Sequence, residues 1–545
     1  CFLNLVALGV PFPHDRYGQY VGYKTDHDPR QRATSIGPYT SREMCRALIR
    51  ETRRLGIPVR EKRWAVSLLT TGTGSDRRAA GVLAVTAAGR FEAYAAENVV
   101  FAVGGPGGLY HTSVYPACHT GAIGTALLAG ARAQSLPESQ YGLASIKFRW
   151  NVSGTYMQVI PRFISTDADG HSHPREFLGD ILADAGERHS LVFLKGYQWP
   201  FDSRKLNGGS SIIDILVYIE TVEKGRRVFL DFRRNPEGFD PAALSDEARA
   251  YLAKSGASQP TPLARLRHMN PGAIALYRDH GIDLAREPLE IAVCAQHQNG
   301  GLVGTIWWES VNLPHLFPIG EVNGSHGVAR PGGSALNAGQ VGGLRAATRI
   351  AQAYTGRTLK PAAFQSAARQ AARELTDWLN RGARGGLDWK AERLALQKRM
   401  SAAGAAIRSR DGLEAAVREA RTQWDQIQAQ GLRVAPRERR EAFTTRQLLF
   451  AQLVILDAIR FAVVSGVGSR GSALVRDPAG PLADARLDAA WRCAPEAPAF
   501  REQVLETEAR PDAIAHAWVP RRPIPPSQAW FETAWAEYRN GTVFQ

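Results

Sequence analysis

Cysteine is scarce and badly placed for cross-linking: Cys1, Cys45, Cys118, Cys294 and Cys493 are widely spaced, odd in number, and include no CxxC pair. Such spacing is poor material for a disulfide framework, a zinc site or an iron–sulfur cluster, and a reducing, cytoplasmic setting is the expectation. No run of about eighteen apolar residues occurs, so no transmembrane helix is expected. GxSxG, HExxH and P-loop signatures are missing, as are repeats and low-complexity tracts. Acidic charge is short: 52 Asp plus Glu stand against 67 Lys plus Arg, a formal net charge of +15. That excess raises nucleic acid or a membrane surface as a partner. The basic residues, however, are mostly arginines interleaved with acids along Ala-rich stretches, as in Glu414 to Arg421. Such patterning belongs to solvated helix faces, and neither partner is expected.

What is present is a chain of ordinary globular composition, 44% hydrophobic and 22% charged, with 545 residues to distribute over two to four domains. It begins with Cys inside an apolar run, CFLNLVALGVPFP, so a preceding segment is expected. A helix is predicted from Thr40 to a stop at Gly56, followed by strands at Ile57–Val59, Trp64–Thr70, Ala80–Thr86 and Glu92–Val103, a meander hung on a larger parallel sheet. Gly121–Ala133 reads as a helix of small residues. Residues 137 to 295 change texture, with aromatics, short strands such as Arg226–Phe232 and one helix over Ser211–Val222. From Pro361 the pattern is helical, over 362–381, 389–409, 412–430 and 444–464, and fits a bundle. Asp167 and Asp169 with His171 and His173 lack the further ligands of a calcium loop and read as a turn, as does Thr25 to Asp28.

The chain centres on His315 to Gln352: a short apolar strand from Leu316 to Ile319, a glycine-studded loop from Gly320 to Gly333, and a helix opening near Ser334. Glycines let the backbone approach a ligand closely, and the free N–H groups of a helix's first turn attract anionic oxygen. Glu321 follows the strand and can take a sugar hydroxyl, while Arg330 in the loop can take a carboxylate.

Five glycine-bearing pieces, FAVGGPGGLY (101–110), CAQHQNGGL (294–302), IGE (319–321), HGVARPGGSAL (326–336) and SRGSALVRD (469–477), stand in a fixed order. Together they resemble the flavoprotein subunit of succinate dehydrogenase and fumarate reductase and its relative L-aspartate oxidase, whose corresponding pieces look like ATGGAGxLY, HYTxGG, GLxAxGE, GANRLGGNSL and SRGAHxRxD. The resemblance covers roughly residues 35 to 480.

It implies an α/β FAD-binding fold of the Rossmann-like, two-dinucleotide-binding-domain type with an α+β capping domain and a C-terminal helical domain. The parts would be 1–138 and 296–357 for FAD binding, 139–295 for the cap and 358–545 for the helices. A βαβ unit with GxGxxG is expected ahead of residue 1. The implied chemistry is hydride exchange between flavin N5 and a C–C bond activated by a carboxylate or carbonyl, on a small carboxylate-bearing substrate. A further implied partner is an electron-transfer subunit. By resemblance, His297 and Arg330 bind the substrate; Gly104, Gly105, Gly301, Gly320, Glu321, Gly332, Gly333, Ser334, Ala335 and Leu336 line the FAD. Two departures stand out. Where the family has QxHPT, Gln140 is followed by Tyr141, Gly142, Leu143 and Ala144, and the PRD arginine has no counterpart in register, leaving Arg204 or Tyr141 as proton-transfer candidates. A substrate other than the usual C4 dicarboxylate is therefore expected. The alternative is a non-catalytic flavin-binding or assembly subunit.

Overall fold

The computed structural model describes residues 1–25, 28–523 and 530–542. Asp26 and His27 of the polar Thr25–Asp28 stretch lie outside the described residues. Six elements carry the site, and they are labelled in chain order: β1 (Val99–Phe101), β2 (Ser139–Ser145), β3 (Leu289–Gln298), β4 (Leu316–Pro318), α1 (Ser334–Ala353) and α2 (Arg439–Val464).

β1 and β4 pair in parallel, Val99 opposite Leu316 and Phe101 opposite Pro318. Among the described residues this is a two-stranded sheet rather than the larger parallel sheet expected. The meander beside it forms as predicted in pattern, from Arg63–Thr71, Arg78–Thr86 and Phe91–Ala95 in antiparallel register. The single long strand expected over 92–103 is instead two, because Ala96 to Asn98 turn the chain from the meander to β1. No strand forms at Ile57–Val59, whose valine and isoleucine side chains are exposed and have no sheet to join.

β2 and β3 are neighbours, fifth and fourth in a six-stranded antiparallel sheet whose strands all lie between residues 139 and 298, in the segment read as the cap. The cap holds more helix than its aromatic texture suggested, including Ala185–Leu194 and three short helices between Asp246 and Asp279. Ser and Thr caps at Ser245 and Thr261 start two of these helices, signals that short length had hidden.

Behind both parts runs α2, 26 residues long, whose buried side chains come from every face of the helix. By length and composition its apolar stretch would suffice to cross a membrane, with a mean hydropathy of 1.8. Apolar run length did not single out this stretch, because Gln452, Asp457 and Arg460 interrupt the run without lowering its average much. The stretch is 72% buried within the protein, so its apolarity is accounted for by neighbouring helices and strands. The helix expected over 389–409 ends at Ala403, and Ile407–Ser409 pairs instead with Leu474–Arg476. The Pro- and Trp-rich tail contributes a hairpin, Gln503–Ala509 with Ile514–Pro520, docked on Ala133–Gln134. The sequence GVGSRG at 466–471 has GxGxxG spacing, but it follows a helix rather than a strand and lacks the strand–loop–helix context.

Candidate active site

The loop after β4 carries the site because its backbone turns three times on glycine, at Gly320, Gly327 (φ +68) and Gly333. Gly320 adopts φ +73 and Gly333 φ +79, left-handed positions that cost a side-chain-bearing residue energy. Gly333 then acts as N-cap of α1 with no side-chain cap. Ser334 turns its hydroxyl back to the carbonyl of Pro331 at 2.8 Å. The N–H groups of Ala335 and Leu336 belong to the first turn, which has no acceptor inside the helix.

At the start of the loop Glu321 turns inward. Its carboxylate accepts from the Tyr115 hydroxyl and from the N–H of Gln298 at 2.9 Å. Burial raises its pKa against the opposing pull of those bonds and of Arg330. A Cβ at Gly105 would lie 2.2 Å from this carboxylate, and one at Gly104 would lie 2.5 Å from the His119 ring. Both glycines therefore make room for the protein's own side chains. Gly301 serves likewise where two backbones cross, a Cβ there meeting the Val322 carbonyl at 2.2 Å.

Arg330 is buried and bound through both ends of one amide: its Nε donates to Gln140 Oε1 at 2.8 Å, and Gln140 Nε2 donates to the Arg330 carbonyl at 3.0 Å. Desolvation lowers its pKa, yet a guanidinium remains charged near neutrality. His297 lies against it on β3, directly opposite Gln140. A bulge between Ala295 and His297 shifts the register there, so that Gln296 is an extra residue on that strand. His297 Nε2 is buried without a hydrogen-bond partner and stands 3.9 Å from Glu321 Oε1. His326 meets the His297 ring edge to face at 4.8 Å, and its own Nε2 is also buried and unpartnered. Burial and the Arg330 charge hold His297 well below the usual imidazole range and bring His326 to about 4. Both rings are neutral at physiological pH.

The tautomer of His297 can be derived. Asn299 Nδ2 donates to the Val328 carbonyl at 3.3 Å, which leaves Asn299 Oδ1 to face His297 Nδ1 at 3.0 Å. An amide oxygen accepts, so the proton sits on Nδ1 and the lone pair of Nε2 points into the site.

The structure thus brings His297, Arg330 and Glu321 together and adds His326, Gln140 and Asn299. Arg204 stands differently: its side chain is half exposed and its guanidinium lies on the Asp202 carboxylate, with contacts at 2.7 and 3.0 Å. Tyr141 alternates to the far face of β2, where its hydroxyl donates to the Gly404 carbonyl at 2.9 Å and meets Tyr110 at 3.0 Å. It is removed as a proton-transfer candidate because neighbouring residues of a strand face opposite ways. The Asp167–His173 segment is a turn, with Asp169 accepting from the N–H groups of His171 and Ser172 and Asp167 paired to Arg226. No cluster of metal-ligating side chains occurs among the described residues.

A parallel strand pair feeding a glycine loop and helix, under an antiparallel α+β cap and against a helical domain, defines an α/β FAD-binding flavoprotein fold. A chain of a quinol-fumarate reductase solved with menaquinol molecules shares it with a TM-score of 0.70 over 96% of this chain and 84% of that one, at 16% identity. In sequence, the L-aspartate oxidase of Streptomyces coelicolor is 28% identical over 366 residues, 65% of this chain and 54% of that protein. A fumarate reductase (CoM/CoB) chain of Methanothermobacter marburgensis is 44% identical over 77 residues, 14% of each chain. The protein is a relative of the L-aspartate oxidase and fumarate reductase flavoproteins, and it spans about half the length of that L-aspartate oxidase. No family model matches it.

Proposed function

We propose that this protein is an FAD-dependent oxidoreductase acting on a small carboxylate-bearing substrate at a carbon next to the carboxylate or a carbonyl. The observation that carries the reading is the buried guanidinium of Arg330 flanked by two imidazole nitrogens, His297 Nε2 and His326 Nε2, that have no partner in the protein. Buried polar atoms are rarely left unpaired, and two convergent ones beside a buried cation fit an anionic, hydrogen-bonding ligand.

Arg330 holds the carboxylate through the guanidinium hydrogens left over once Nε has gone to Gln140 and one Nη1 hydrogen to the Pro331 carbonyl at 3.2 Å. In a dry site that charge counts for more than it would in water. The Nε2 lone pair of His297 accepts the proton from the carbon in the oxidative direction and returns it in the reductive one. Glu321, within 3.9 Å of that nitrogen, is placed to exchange the proton onward. Bound FAD would supply the two-electron hydride acceptor or donor. The residues fit its flavin end: the uncapped first turn of α1 offers N–H groups from Ala335 and Leu336 beside Gly332, Gly333 and Ser334, and Gly320 turns the chain so that Glu321 faces the same interior. An electron-transfer partner subunit belongs to the proposal as well.

The test is anaerobic. Purified protein titrated with FAD should quench flavin fluorescence, and the bound flavin should bleach with a carboxylate donor or reoxidise with an unsaturated acid. Arg330→Ala should retain the flavin and lose turnover by about 100-fold or more, the cost of an unpaired carboxylate being about 3 kcal/mol. Bound flavin that no acid reduces or reoxidises would defeat the reading.

A further inference from the structure

One strand repeat along β2 from the Arg330 contact, a second set of polar atoms is left unpaired. Gln140 and Gly142 share the face of β2 opposite Tyr141. A Cβ at Gly142 would lie 3.0 Å from the Gln296 amide atoms and 3.0 Å from Trp199 Nε1, so donor and amide converge over the one position on that face that has no side chain. Trp199 Nε1 and Gln296 Oε1 are both buried, and neither has a hydrogen-bond partner among the described residues. Gln296 is present on this face because it is the extra residue of the β3 bulge.

The turn bearing Trp199 is fixed rather than loose. Phe201 N–H donates to the Tyr141 carbonyl at 2.8 Å, Ser210 N–H donates to Gln198 Oε1 at 3.1 Å, and Ser203 N–H donates to the Gly471 carbonyl at 2.9 Å. The orientation of the Gln296 amide follows from its neighbour: Nε2 faces the Leu143 carbonyl at 3.5 Å, where an oxygen would be repelled, so Oε1 points inward. The subsite therefore offers one N–H donor and one carbonyl acceptor, and neither residue carries charge. A carboxylate there would satisfy Trp199 but set its oxygen against Gln296 Oε1. A carboxamide satisfies both, its oxygen taking the indole N–H and its NH2 giving to Gln296.

We infer that Trp199 Nε1 and Gln296 Oε1, brought together over Gly142, form a neutral specificity subsite, and that the substrate is a carboxylic acid whose other end is a carboxamide rather than a second carboxylate. This rests on the proposed binding of the acid by Arg330. The two subsites are about 7 Å apart, the rise of two strand residues, a span for a chain of about four carbons.

The matched probes are fumarate and its monoamide, fumaramate, measured by calorimetry against the FAD-loaded protein. Fumaramate should bind about 10-fold tighter or more, one satisfied buried hydrogen bond being worth that factor. Trp199→Phe should weaken both probes, Gln296→Met should remove about 10-fold from fumaramate while fumarate binds no more weakly than before, and Gly142→Ala should crowd out fumaramate. Arg330→Ala should weaken both probes. Near-ultraviolet circular dichroism checks each variant's fold, and three separate substitutions guard against one that misfolds. Equal or tighter fumarate binding that still depends on Arg330 would overturn the neutral subsite while leaving the carboxylate site standing. Binding of either probe indifferent to Arg330 would overturn both, and no binding of fumaramate at millimolar concentration would overturn the subsite.

Discussion

At the scale of single residues, Asn299 decides what His297 can do. With its amide anchored on the Val328 carbonyl, it fixes the proton on Nδ1 and leaves Nε2 as a base. His297 is already neutral well below the usual imidazole range, so kcat/KM should show no imidazole limb between about pH 6 and 8. Asn299→Asp would place a carboxylate on Nδ1 and favour the imidazolium. Its folded pKa then rises, the base form is lost at low pH, and an acid limb should move up into the measured range. A pH–rate profile of the two proteins checks this, and an unchanged profile would remove Asn299 from the positioning role. Arg330, His297 and Glu321 were legible in the sequence because each stands beside glycines that backbone turns and crossings demand. Asn299, Gln296 and Trp199 were not, since hydrogen bonds to distant carbonyls and a strand bulge leave no local signature.

At the scale of elements, the cap turn from Lys195 to Ser211 depends on a buried ion pair. Lys195 Nζ meets the Asp214 carboxylate with both side chains almost wholly enclosed, and the lysine also reaches the Gln198 carbonyl at 3.4 Å. Desolvation raises the pKa of Asp214 in spite of its partner. Breaking such a pair strands one charge, a cost of about 3–5 kcal/mol, whereas replacing both partners by apolar groups is often neutral. Lys195→Met should therefore lower the urea midpoint sharply, and Lys195→Met with Asp214→Leu should restore it. If the double variant is no better than the single, the pair's destabilisation lies in packing rather than charge. Elements with strong periodicity or glycine stops, such as Arg410–Gln430 and Arg227–Asp231, were readable from sequence. The short cap helices were not, because helices of eight or nine residues show too few turns for a period to emerge.

At the scale of the whole molecule, two properties follow from what is enclosed. The first is acid sensitivity. His189 is buried with both ring nitrogens unpartnered, and it and His326 have folded pKa values of about 4 against an ordinary 6.5. Depressed folded values mean that the unfolded chain binds these protons first. The stability they contribute is complete above about pH 6.5 and is lost as pH falls toward 4. The melting temperature should fall across that window, and less so for His189→Phe.

The second is the meaning of α2, the one stretch among the described residues whose composition alone would also suit a lipid bilayer. Composition cannot separate the two settings, because a helix apolar on all sides satisfies either. Position within the fold can. Leu449, Leu453 and Ile455 are enclosed by protein, whereas Val464 at the end of the helix is 45% exposed. In a protein core a charge at Leu453 has no route to water. Leu453→Lys should cost more than about 4 kcal/mol and abolish folding, while Val464→Lys should stay within about 0.5 kcal/mol. The wild-type protein should also remain monodisperse without detergent, as read by light scattering. Solubility that depends on detergent would place this helix in lipid and break the packing behind the site, since Gln447 of α2 donates to the Gly121 carbonyl at 3.0 Å and so holds the turn beside Gly105.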